Sequence, residues 1–104
     1  MTEKESLTEK EVRSLIRIWA AENDVLLFPV PATMYSVVGV PDFVGLFHGR
    51  FLAIEAKSSK GIISSHQARF HSAIRAHGGL VFVVRSKQDL TDIGIVLGLL
   101  KDIS

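Results

Sequence analysis

Cysteine is absent from all 104 residues, which excludes disulfides and thiolate zinc sites and leaves a reducing cytosol compatible with the chain. The N-terminal Met1-Thr2-Glu3-Lys4-Glu5-Ser6 lacks the apolar centre of a signal peptide, and no apolar run reaches the ~18 residues that a membrane span needs. A soluble cytoplasmic protein with no membrane partner is therefore expected. Neither sign of charge dominates: twelve basic against eleven acidic residues give a net charge of +1. That balance falls short of the pI above ~9 that usually marks a nucleic-acid binder. It argues against tight non-specific binding without excluding a site built from acids. Repeats, low-complexity tracts and linkers are also lacking. What is present is 47% apolar residues in a length suited to one domain over 1–104, with about the first six frayed.

The chain then reads as alternating helix and strand. Thr8 caps a first helix whose apolar residues Val12, Leu15, Ile16 and Trp19 recur at three and four, and which ends near Asn23. Glu9 or Glu11 borders its buried face, and both suit the positive end of the helix dipole. Val25 to Val30 is β-prone, and Pro29, which lacks an amide donor, pushes it to a sheet edge. A loop from Pro31 to Gly39 follows, carrying Tyr35 and Ser36. Ser64 to Gln67 forms a capping box for a helix from Ser65 to about His77, its apolar side carrying Ala68, Phe70, Ala73 and Ile74 and its end marked by Gly78-Gly79. Arg69 and Arg75 are expected to face outward. Leu80 to Val84 is a buried strand that a crossover helix sets parallel to its predecessor. A last helix capped by Ser86 runs through Leu90, Ile93, Val96, Leu97 and Leu100. The four histidines, His48, His66, His71 and His77, show no HxxxH spacing, so zinc is not expected; His66, beside Gln67, is the one placed to reach a cleft.

Between the first and second helices lies the stretch with chemical content. Phe43–Phe47 and Phe51–Lys57 are apolar runs around His48-Gly49-Arg50, a β-hairpin that carries Asp42 back to Glu55 and Lys57. A type II′ turn at Gly49-Arg50 sets Asp42 opposite Lys57 and puts all three groups on one face. A regular three-residue turn would set Asp42 opposite Ala56 and send it to the other face. Two carboxylates and an ammonium at one spot conflict unless a partner is present, and hard oxygen ligands suit Mg²⁺ or Mn²⁺.

Pro41-Asp42, twelve residues, then Glu55-Ala56-Lys57 resembles the PD-(D/E)XK nuclease signature. Gly39-Val40-Pro41-Asp42 followed by Ser64-Ser65-His66-Gln67 looks like its VRR-NUC branch, whose small stand-alone members occur in phages and bacteria. The resemblance spans roughly residues 9 to 86. It implies a restriction-endonuclease-like α/β core with a mixed sheet flanked by helices, and an Mg²⁺- or Mn²⁺-dependent endonuclease in a bacterial cell or phage-infected host.

By that resemblance Asp42, Glu55, the Ala56 carbonyl and a helix acid, Glu9 with Glu11 as the alternative, hold the metal. Lys57 and Gln67 serve catalysis, and Tyr35, Ser36 and Ser64 serve the substrate. That substrate is expected to be DNA, duplex or branched at a junction or flap, met by a homodimer. The alternatives are a non-catalytic nucleic-acid-binding or assembly module on the same fold, and a structural α/β domain in which Asp42 is a turn residue and Glu55 and Lys57 an exposed strand pair.

Overall fold

The computed structural model describes residues 6–31 and 37–101, so Tyr35 and Ser36 lie outside the described residues. Its elements follow the order α1 (Glu9–Glu22), β1 (Leu26–Pro29), β2 (Phe43–Phe47), β3 (Arg50–Ala56), α2 (Ser65–Ala76), β4 (Leu80–Val84) and α3 (Lys87–Lys101). No helix among them is long and apolar enough to cross a membrane.

The strands form one sheet in the order β1-β2-β3-β4, antiparallel except for the parallel β3–β4 pair. This is the mixed α/β architecture expected from the sequence. Pro29 closes β1 at the sheet edge, where a missing donor does least harm. Gly45 is fixed by packing: a side-chain carbon there would lie 1.8 Å from the Leu26 carbonyl oxygen, inside the neighbouring backbone.

Side-chain alternation divides the sheet into two faces. Phe43, Phe47, Leu52, Ile54, Ala56 and Val84 point to one side, where Val12, Ile16 and Trp19 of α1 and Leu90, Ile93 and Leu97 of α3 cover them. Leu52 and Ile54 are fully buried, and truncating either to alanine is worth about 2–5 kcal/mol. The opposite face packs Ala53 and Val81 against Ile74 and Phe70 of α2. Glu55, two residues after Ala53, therefore enters a covered layer. The buried stripe of α2 is His71 and Ile74 with Gln67 and Phe70 beside it, whereas Ala68 and Ala73 are exposed. Small apolar residues there are helix formers on the solvent side, and a histidine and a glutamine occupy positions a purely apolar stripe would have filled.

The hairpin turn differs from the expected one. Phe47 pairs with Arg50, so the two loop residues are His48 and Gly49, with φ of 48° and 82°. Positive φ at both defines type I′, which suits the twist of the flanking strands. Gly49 supplies the second of those positions, and His48 accepts the left-handed conformation at the first. The loop remains even, so facing is preserved, but the register moves by two: Phe43 pairs with Ile54, and the next step sets Asp42 against Glu55 instead of Lys57.

Candidate functional site

Asp42 sits where β2 begins, immediately after the buried Pro41. Its carbonyl oxygen accepts from the Val30 amide at 2.8 Å, which ties the residue to the chain leaving β1. Its side chain does the corresponding work toward β3: Oδ2 accepts the Ala56 amide at 2.7 Å in place of a ladder bond. The amide and carbonyl of one strand residue leave on the same edge, so the Ala56 carbonyl also leaves on the edge toward β2. The other oxygen, Oδ1, accepts from Nη2 of Arg13 at 3.3 Å.

Glu55 is only 2% exposed, and both of its oxygens are met by α2. Gln67 Nε2 donates to Oε2 at 3.1 Å, and His71 Nε2 lies 3.2 Å from Oε1. Residues 67 and 71 are one helical turn apart and share a face, which is how a single helix grips both oxygens. Burial, followed by the hydrogen bond to Asp42 and Asp42's charge, pushes the Glu55 carboxyl up to about 8; Lys57 pulls it down and Glu9 adds a little upward push. Burial also lowers the His71 pKa, with the Arg75 and Lys57 charges acting in the same direction. Without a cation, the neutral-pH state is a protonated Glu55 beside a neutral His71. Its single carboxyl proton can be given to Asp42 or to Nε2 of His71.

Gln67 performs two tasks at once. Its Oε1 accepts the Ser64 amide at 2.9 Å and Ser64 Oγ accepts the Gln67 amide at 3.1 Å, completing the expected capping box, while Nε2 remains for Glu55. Ser64 is thus placed as the helix cap. Gly39, with φ of 89°, lets the preceding loop touch this turn: a side-chain carbon there would lie 2.4 Å from the His66 carbonyl oxygen. The Gly39-to-Asp42 segment and the first turn of α2 are thereby packed together. His66 itself is exposed.

The remaining expected residues divide. Lys57 lies beyond Ala56 on the Glu55 face, its amide bonded to the Val84 carbonyl at 3.0 Å, and among the described residues its ammonium makes no ion pair within 4.0 Å. Its charge still reaches Glu55 and His71. Glu11 serves the α1 capping box, its Oε1 accepting the Thr8 amide at 2.8 Å. Glu9 stands nearer the site, but its carboxylate pairs with Arg13 at 3.7 Å, so Arg13 bridges Glu9 and Asp42. Among the described residues no group of three or more His, Cys, Asp and Glu side chains is arranged to hold a metal ion.

Sequence reasoning missed His71 and Arg13. The only available signal for His71 was its spacing of four from Gln67. Arg13 offered nothing beyond its spacing of four from Glu9, which points to a helix ion pair and away from Asp42. No protein-family model and no curated protein matches this chain.

Proposed function

We propose that this protein is a metal-dependent endonuclease of the PD-(D/E)XK type, similar to its VRR-NUC branch, hydrolysing phosphodiester bonds in DNA. The observation that carries the reading is the meeting of Asp42 and Glu55 at the open end of the hairpin, on the sheet face that also bears Lys57. The element order α-β-β-β-α-β with β4 parallel to β3 supports it, being the core that the sequence resemblance implies.

Glu55 is the group that favours a cation here. A carboxyl that keeps its proton to about 8 because it is buried beside another acid is a group whose ionised form a divalent cation would stabilise. The hard oxygens of Asp42, Glu55 and the Ala56 carbonyl would hold Mg²⁺ or Mn²⁺, which when bound supplies Lewis acidity toward phosphate and lowers the pKa of water. The chain's residues do the rest. Gln67 and His71 fix the Glu55 carboxylate from behind, as outer-shell groups orient a ligand. Lys57 would donate from its ammonium to the attacking water, positioning it, and would offset the charge that grows on the phosphate oxygens. Glu9 acts on the site through Arg13. A duplex or branched DNA substrate and a homodimer follow from the sequence resemblance.

The test is cleavage with Mg²⁺ of a panel of duplex, flap, four-way junction and single strand by Asp42→Ala, Glu55→Ala and Lys57→Ala. The first two lose cleavage, and Lys57→Ala loses rate more than metal affinity. All three variants cutting at the wild-type rate would falsify the assignment.

A second reading draws on Arg13, whose guanidinium already neutralises Asp42. It is a nucleic-acid-binding or assembly module without turnover. Calorimetry with Mn²⁺ separates the two, because that module needs no metal.

A further inference from the structure

The geometry points to a phosphate pocket formed by Arg13 and Arg17, which takes a backbone phosphate and its sugar from the strand being cut, next to the phosphodiester presented to Asp42 and Glu55. This inference rests on the nuclease reading and names the part of the site that grips the substrate.

A cavity of about 500 Å³ opens beside Asp42, lined by Arg13 and Arg17 from α1, by Pro29 and Val30 at the end of β1, and by Phe43. The arginines are one helical turn apart, about 6 Å along the axis, so both guanidinium groups face the same opening. Arg13 uses a single nitrogen, Nη2, for both Asp42 and Glu9. A guanidinium has five N–H donors, so its other edge remains for a ligand. The Arg17 guanidinium carbon lies 5.6 Å from the centroid of the Phe43 ring, which holds it along the cavity wall. Among the described residues Arg17 makes no ion pair.

Arg13 is shared between Asp42 and Glu9, so among the described residues Arg17 supplies the cavity's unpaired positive charge, and the planar fork of arginine matches the spacing of phosphate oxygens. The remaining walls, Pro29, Val30 and the Phe43 ring, are apolar and suit the carbon face of a sugar. No base-reading group is needed, so the pocket holds backbone irrespective of sequence. Because Arg13 also contacts Asp42, the phosphate it holds is the immediate neighbour of the one that is cleaved.

The test is fluorescence anisotropy with a short labelled DNA duplex in EDTA, where metal-dependent cleavage does not proceed, across a salt series. The variants are Arg17→Ala, Arg17→Lys and, as a charge-matched control, Arg50→Ala at the far end of the hairpin. Arg17→Ala should weaken binding about tenfold and lower the slope of log K against log salt by about one. Arg17→Lys should recover part of the loss, and Arg50→Ala should stay within about twofold. Arg17 is exposed, so its variants fold, and circular dichroism verifies this. Equal losses for Arg17→Ala and Arg50→Ala, or none for Arg17→Ala, overturn the pocket while cleavage by the wild type keeps the nuclease reading intact. A wild-type protein that neither binds nor cuts DNA removes both.

Discussion

Metal-free protein should lose stability as pH rises through neutrality, and Glu55→Gln should abolish that loss. The folded state keeps the Glu55 proton to about 8, whereas the unfolded chain releases it near 4.5. Between those values unfolding releases a proton, so raising the pH favours the unfolded state, and the effect is complete above about 8. At about 1.4 kcal/mol for each pH unit of separation, an ionised Glu55 costs the fold about 5 kcal/mol. His71 acts in the opposite sense. Its folded pKa lies below the usual 6.5, so unfolding takes up a proton as the pH falls beneath 6.5, and the two contributions oppose one another there. Asp42 just before β2, Lys57 just after β3 and Glu9 from α1 set the field at Glu55, whereas Arg75 from α2 and Lys57 set that at His71.

The clear window is therefore pH 6.5 to 8, where Glu55 acts without His71 and about 2 kcal/mol should disappear. That is a large share of the 5–15 kcal/mol that holds a typical domain, and corresponds to roughly 10 °C in Tm. Urea unfolding of wild type and Glu55→Gln at half-unit steps of pH measures it. The wild-type midpoint should fall across the window while the variant's stays level. Mn²⁺ at a hundredfold excess over its Kd should return about 2.7 kcal/mol to the wild type alone at pH 8. A level wild-type curve, or a parallel fall in Glu55→Gln, would refute the account of Glu55.

Further substitutions at His71, Ser64 and Gln67 probe the same layer, and one at His48 probes the hairpin turn. His71→Leu should remain folded yet bind Mn²⁺ about 10–100-fold more weakly, with His71→Gln keeping most of the affinity because it restores a donor near Oε1; equal calorimetric affinities in all three proteins would reduce His71 to a space-filler. Ser64→Ala removes only the α2 cap, at about 1 kcal/mol, whereas Gln67→Ala also removes the donor to Glu55. In urea unfolding the second variant should therefore be weaker than the first by about a further 1–2 kcal/mol at pH 8.5, where Glu55 is ionised, and close to it at pH 6.5. His48→Asn should raise the unfolding free energy measured in urea by about a few tenths of a kcal/mol, since asparagine before glycine is favoured in a type I′ turn; a loss of stability would contradict the observed turn.

Those tests follow the boundary between what local patterning encodes and what it does not. The helix caps at Thr8 and Ser64 and the edge placement of Pro29 were legible because each depends on a few adjacent residues. The sharing of one face by Asp42, Glu55 and Lys57 was legible because it depends only on whether the loop count is even, and both two-residue turns satisfy that condition. Opposition between particular residues was not legible, because it depends on which residue takes the left-handed conformation, and His48 does so despite a nearby glycine that could have taken the first position.

The surroundings of Glu55 lie further out of reach. A histidine four residues after a glutamine is unremarkable on a helix surface, and it becomes a carboxylate clamp only once β3 slides the acid beneath α2. Arg13 shows the same limit from the other side of the sheet. Its spacing from Glu9 predicts a solvent ion pair, yet Asp42, tied to the end of β1 by the Val30 amide, meets the same guanidinium. The side chains that grip the oxygens of Glu55 and the one that engages Asp42 are thus supplied by different helices on opposite faces of the sheet. A change in α2 should accordingly move the titration of Glu55, while a change at Arg17 should alter the grip on substrate and leave that titration in place.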